Sequence, residues 1–325
     1  MCAETLNPKT IQDIRPAVAK LESICLEQGA DAAIFLRDGE IVWAGPKANQ
    51  SYYAWSMTKS FTSVCCGLMV DAGRLDIDAP AALWLPELKK GYPTVTLRHL
   101  LTFTSGLFTD EVEPFKIEAP RYELGSRLHY SLESEWVGLA VTRAANESME
   151  DLFRREVADK IGMERDQWSW GRHETLDAGV VVNGGSGALD QGLRLTPHAL
   201  LRFGQWILQG GEWQGEQLVS RAWLDDATKA QSYTNVPPWD VKEGWYRDCL
   251  PGTYGLHFWT NGIKFCSGQR MWPSVPAGVF ALQGNLNQIC IVIPEWNSIV
   301  IRMGSDGVID TDLYDGVLRL FNQQS

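Results

Sequence analysis

Nothing in this 325-residue chain approaches the roughly 18 consecutive apolar residues of a membrane-spanning helix, and its opening, MCAETLNPKT, has no apolar signal core. A soluble protein with no membrane span is expected. Clustered positive charge is also missing. Against 29 Lys and Arg stand 40 Asp and Glu, a net charge of −11, so neither a nucleic acid nor an anionic membrane is an expected partner. The five histidines (His99, His129, His173, His198 and His257) show no His-Glu-x-x-His or paired-ligand spacing, and no metal or other cofactor is expected. The seven cysteines lack Cys-x-x-Cys spacing, and Cys65 and Cys66 adjoin inside an apolar run. They read as mostly buried thiols, which favours the cytoplasm slightly over an exported form; Cys2 as the remnant of a lipoprotein processing site is the exported alternative. Internal repeats, low-complexity tracts and long linkers are absent as well.

What the chain does have is a 45% hydrophobic composition, ample for a substantial core. It also has one anomalous lysine. From Met57 to Val70 the apolar residues Met57, Phe61, Val64, Cys65 and Leu68 recur at helical spacing, the other positions are small or apolar, and Lys59 carries the only charge. A helix buried all round is expected. Lys59 lies one turn after Ser56, so amine and hydroxyl share a face. A desolvated ammonium must find an acid or lose its proton, and no acid lies in this helix. A neutral amine beside a serine hydroxyl at a helix N-terminus is the composition of an activated nucleophile, with backbone N–H groups at hand for an oxyanion.

Along the chain, residues 11–29 read as an amphipathic helix. Ala33–Leu36 and Ile41–Ala44 read as a hairpin turning at Asp38-Gly39. The middle is punctuated by Pro and Gly and carries expected helices at 132–145, 147–161 and 196–209. Strand character returns at 254–259, 278–282, 288–293 and 298–302, and a helix over about 310–322 closes the chain. Strands at both ends around a helical middle suggest an α+β fold, an antiparallel sheet flanked by helices with a mainly helical subdomain.

Several blocks resemble the serine β-lactamase and penicillin-binding-protein superfamily, in particular its class C-like esterases, amidases and D-aminopeptidases. Ser56-Met57-Thr58-Lys59 resembles the nucleophile motif. Residues 71–80 (DAGRLDIDAP), 95–107 (VTLRHLLTFTSGL), 185–189 (GSGAL), 195–204 (LTPHALLRFG) and 210–213 (GGEW) continue the likeness in order. The resemblance implies a β-lactamase/transpeptidase-like fold, a single catalytic domain over 6–325, with an α/β subdomain at about 6–55 plus 250–325 and a helical subdomain at about 56–249. It further implies that Tyr130 is the second proton carrier, in a Tyr-x-Asn-type motif whose third position here is Leu132. Glu133 is the neighbour that could stand in for the missing asparagine, or simply charge a helix N-terminus. The third motif aligns with Leu282-Gln283-Gly284, where the usual cation is absent, and the Asn285 N–H is implied to complete an oxyanion hole with that of Ser56. Without the asparagine and the cation, an ester or small uncharged amide fits better than a β-lactam or a D-Ala-D-Ala peptide.

Gly184-Gly185-Ser186-Gly187-Ala188 imitates a nucleophile elbow, so Ser186 is a competing nucleophile, against a Gly-rich loop beside the pocket. A noncatalytic, ligand-binding use of the scaffold is the other alternative. The expectation is a serine hydrolase acting through an acyl-enzyme on Ser56, with Lys59 and Tyr130 moving the proton, and Gln283, Gly284, Asn285 and Leu132 around the substrate.

Overall fold

A computed structural model describes residues 15–23, 32–108, 113–176, 179–231, 234–239, 251–305 and 307–322. At its centre is a six-stranded antiparallel sheet whose strands come from both ends of the chain. They are β1 (Ala32–Arg37), β2 (Glu40–Ala44), β3 (Trp259–Thr260), β4 (Phe280–Gly284), β5 (Gln288–Ile293) and β6 (Ser298–Met303), in the spatial order β3-β4-β5-β6-β1-β2. The N-terminal strand β1 is locked onto the C-terminal β6 from Ala32 opposite Met303 to Arg37 opposite Ser298. β5 and β6 are buried along their whole length. Such strands serve two cores at once, which explains their nearly unbroken apolar sequences QICIVI and SIVIRM.

On one face, Ile34, Leu36, Leu282, Cys290 and Ile299 join the larger core. That core is covered by α2 (Thr58–Asp71) and α4 (Pro197–Leu208), and it extends through α3 (Ser134–Ala145). On the other face, Phe35, Ile289, Ile291 and Val300 pack with Ala17 and Leu21 of α1 (residues 15–23) and with Tyr314, Val317 and Leu318 of α5 (Thr311–Asn322). Among the described residues no helix is long and apolar enough to cross a membrane.

α2 is buried from Thr58 through Met69, as its lack of charge requires. Its small polar side chains tie the helix to its surroundings. Ser60 Oγ donates to the His257 carbonyl at 2.7 Å, Thr62 Oγ1 donates to the Gly185 carbonyl at 2.9 Å, and Thr58 Oγ1 accepts the Leu193 N–H at 3.0 Å. Each bond satisfies a buried polar group that would otherwise cost about 1–3 kcal/mol.

The expected helices and the Asp-Gly hairpin are present, with ends shifted by a residue or two. The expected strand at 254–259 is not. Only Trp259–Thr260 pairs in the sheet, because His257 takes a left-handed backbone (φ 62°) and the Gly255 N–H bonds the Phe258 carbonyl at 2.8 Å, folding the segment into a turn. Strand-forming side chains are overridden there by local backbone geometry. The expected helix over 11–29 is described only at 15–23; the remainder lies outside the described residues.

Candidate active site

Ser56 sits in a single 3-10 turn (Trp55–Met57) that runs straight into α2. Trp55 just before it has a left-handed backbone, φ 50°, a conformation a bulky residue adopts only when its surroundings impose it. Two glycines supply that constraint. A Cβ on Gly284, at the end of β4, would overlap the Ala54 carbonyl, and one on Gly187 (φ 84°) would overlap the Trp55 carbonyl. The end of β4 and the Gly-rich loop thus clamp the Ser56 turn from two sides. Gly187→Ala is expected to cost about 2–3 kcal/mol in stability and about 10²-fold in kcat, since small displacements of a reacting group are that costly. Thermal melts and steady-state kinetics check both, and a G187A protein with unchanged kcat would show that the clamp is irrelevant to Ser56.

Lys59 is 1% exposed. Its Nζ donates to Ser56 Oγ at 3.0 Å and to the Ser186 carbonyl at 2.9 Å. Burial brings its pKa down from 10.5 to about 7, against a smaller upward pull from Glu135. The amine is therefore held neutral for much of the time near pH 7, yet is oriented by a carbonyl and a hydroxyl rather than locked to a carboxylate. The Tyr130 ring centre lies 4.9 Å from the same nitrogen.

The loop that presents the Ser186 carbonyl hangs from one buried carboxylate. Glu135 of α3 accepts the Gly185 N–H at 2.7 Å, the Ser186 N–H at 2.8 Å and the Ser186 hydroxyl, and lies 2.6 Å from His173 Nε2. These bonds offset the cost of burying the charge and keep the Glu135 pKa below the ordinary glutamate value despite desolvation. The Ser186 hydroxyl is committed to Glu135 and the residue is 1% exposed, so the elbow-like sequence forms the Gly-rich loop beside the pocket, and Ser186 is not placed to attack a substrate.

A small cleft opens over Ser56. Among the described residues its walls are Ser56, Tyr130, Trp259, Gln283, Gly284, Asn285, Leu286, Asn287, Val308 and Ile309, none of them charged. The structure thus brings together Ser56, Tyr130, Gln283, Gly284 and Asn285 at one opening, with Lys59 directly behind the serine. Leu132 is half-buried and is not among the lining residues. Glu133 does not replace the missing asparagine. It is fully buried at the start of α3, 2.6 Å from Ser105 Oγ, and desolvation pushes its pKa well above the usual glutamate value.

Sequence reasoning missed Arg302 of β6. Fully buried, it donates through Nη1 to the Leu286 carbonyl at 2.7 Å and the Asn287 carbonyl at 2.9 Å, holding the β4–β5 turn at the rim of the cleft. Leu286 and Asn287 are both left-handed there (φ 57° and 59°), and Asn287 Oδ1 accepts the Tyr314 hydroxyl at 2.8 Å. The available signal was an arginine inside an otherwise apolar strand. Among the described residues no group of three or more His, Cys, Asp or Glu side chains could hold a metal ion.

A family model described as Beta-lactamase matches residues 23–312, nearly the whole described structure. The chain belongs to that family. Its fold is also that of solved family members. A putative beta-lactamase from Bacteroides dorei superposes with a TM-score of 0.74 at 17% identity, over 95% of this chain and 98% of that one. A penicillin-binding-protein homologue from Caulobacter crescentus gives 0.71 at 17% identity, over 98% of both chains. At such identities the likeness speaks for the fold alone. Among curated proteins, Esterase EstB of Burkholderia gladioli is 29% identical over 33% of this chain and 36% of its own length. Acyltransferase calJ of Penicillium decumbens is 27% identical over 33% of this chain and 35% of its own. The matched stretch therefore spans only about a third of either curated relative.

Proposed function

We propose that this Beta-lactamase family member is a serine hydrolase that cleaves an ester or small uncharged amide through an acyl-enzyme on Ser56. The observation that carries the reading is the dry Lys59 amine 3.0 Å from Ser56 Oγ. Neutral Lys59 takes the hydroxyl proton as Ser56 Oγ bonds to the substrate carbonyl carbon, and the oxygen that gains the charge faces the backbone N–H groups of Ser56 and Asn285. When the bond to the leaving group breaks, Tyr130 gives that group a proton and recovers one from the Lys59 ammonium. The same groups then activate water, which releases the acid and restores Ser56.

The uncharged walls favour a neutral substrate. Leu282 is fully buried in the apolar core and offers no cation for a carboxylate. Gln283 is 3% exposed, and neither polar atom of its carboxamide has a hydrogen-bond partner among the described residues, although the residue lines the cleft. Burying an amide unsatisfied is costly, and a substrate carbonyl or N–H beside the scissile bond would relieve that cost. Esterase EstB by its name acts on esters, which supports the same chemistry here.

A fluorophosphonate probe tests the reading. Intact mass and peptide mapping are expected to find one adduct, on Ser56, together with turnover of short p-nitrophenyl esters. A protein that hydrolyses the esters while Ser56 stays unmodified has another nucleophile.

A further inference from the structure

The Gly-rich loop beside Ser56 is gripped by both kinds of backbone group. In the peptide unit joining Gly184 to Gly185, the carbonyl accepts the Trp170 indole N–H at 2.8 Å and the N–H donates to Glu135 Oε2 at 2.7 Å. In the next unit the Gly185 carbonyl accepts the Thr62 hydroxyl of α2 at 2.9 Å, and the Ser186 N–H donates to Glu135 Oε1 at 2.8 Å. The Ser186 hydroxyl donates to the same oxygen. Two successive peptide planes are thus pinned at both ends, and one carboxylate of α3 takes part in three of the five bonds.

Gly185 packs so closely on the start of α3 that a Cβ there would overlap the Ser134 carbonyl, so the loop cannot settle further toward the helix. With both planes set, the Ser186 carbonyl of the third unit points at Lys59 Nζ, 2.9 Å away. A carbonyl can only accept, so it always takes a Lys59 N–H. It thereby keeps the nitrogen 3.0 Å from Ser56 Oγ, where the lone pair of the neutral amine can receive the hydroxyl proton. Glu135 reaches the amine through the loop.

We infer that Glu135 is a positioning residue for the general base, fixing the Gly185 and Ser186 peptide planes so that the Ser186 carbonyl holds Lys59 Nζ against Ser56 Oγ, a role that rests on the acyl-enzyme reading above. The role requires a carboxylate. Oε1 accepts the Ser186 N–H and hydroxyl while Oε2 accepts the Gly185 N–H, whereas a carboxamide of the same size has one accepting oxygen and turns an NH2 group toward a loop N–H in either orientation. The charge matters as well as the shape. Burial lowers the Lys59 pKa and the Glu135 charge pulls it partway back, so an uncharged residue at 135 makes Lys59 release its proton at lower pH. The other titratable groups around this pair, among the described residues, are Tyr130 over Lys59, His173 against Glu135, and His257, which burial and then the Lys59 charge push well below the ordinary histidine pKa.

The test compares kcat/KM of the wild-type and Glu135→Gln proteins on p-nitrophenyl acetate across about pH 5 to 9, with melting curves for both. The variant is expected to lose about 10-fold or more on the pH plateau, and its acid limb is expected at least about half a pH unit below that of wild type. A loss with the limb still at the wild-type position would make Glu135 a structural residue only and overturn the role, as would an unchanged plateau. Both results leave Ser56 chemistry standing. A wild-type protein inert to the ester and unlabelled at Ser56 by a fluorophosphonate would overturn the acyl-enzyme reading and this inference with it. Should Glu135→Gln fold poorly, Glu135→Asp keeps the charge but draws it back from the loop by one methylene. The same two changes are expected there at smaller size, and a limb at the wild-type position would again count against Glu135.

Discussion

Ser56→Ala is expected to lose at least about 10³-fold in kcat/KM on any ester the protein turns over, and all covalent labelling by a fluorophosphonate. On the proposed reading Oγ is the atom that forms the acyl bond, and the other described hydroxyls of this region are committed elsewhere. Ser186 is committed to Glu135, Ser60 donates to the His257 carbonyl and Thr58 accepts the Leu193 N–H. The fold is expected to be unchanged, since the serine is only half-buried and its side chain bonds Lys59. Kinetics, labelling and a melting curve on the same preparation separate lost chemistry from lost structure. Residual activity within about tenfold of wild type would exclude Ser56 as the nucleophile.

Lys59→Met has the second large effect, and it acts in opposite directions on activity and stability. Activity is expected to fall about 10³-fold, within the range for loss of a positioned base. On the proposed reading the active form is the neutral amine, so kcat/KM should rise with pH through about 7. For stability, the folded protein releases the Lys59 proton near pH 7 and the unfolded chain near 10.5. Between those values the unfolded state holds more protons, so the Lys59 contribution becomes more favourable as pH rises. Below pH 7 the whole cost is present, on the order of 5 kcal/mol for a displacement of this size. A methionine side chain at this position carries no such cost but leaves the Ser186 carbonyl without its donor, a loss of about 1–3 kcal/mol. The variant should therefore melt at a higher temperature than wild type at about pH 6, with the difference shrinking toward pH 10. A Tm difference that ignores pH would mean that Lys59 keeps an ordinary pKa in the folded protein.

The parts of this molecule that sequence makes visible are those in which one local pattern decides the outcome. A charge-free helical run with a single lysine gave both the buried helix and the Ser56–Lys59 contact, because spacing by one turn is enough to bring two side chains together. The four apolar runs that became β1, β4, β5 and β6 were equally legible. Trp259 was visible only as a strand residue. Its segment turns because His257 adopts a backbone conformation that its side chain does not announce. Glu135 and Arg302 were hidden for another reason. Each acts on residues distant in sequence, Glu135 on Gly185 and Ser186, Arg302 on Leu286 and Asn287, and tertiary packing alone sets those partnerships. Leu132, singled out by its position in a motif, is half-buried and not among the described residues that line the cleft.

The pairing of β1 with β6 has a consequence for how the protein is made. Ser56 leaves the ribosome well before the edge that lines its cleft, Gln283 to Asn287, and before the strand that anchors that edge, Ser298–Met303. β1 must wait for β6 with its apolar side chains unpaired, a period in which chaperones have something to hold. A nascent chain stalled before residue 298 should accordingly show none of the ester turnover proposed for the folded protein.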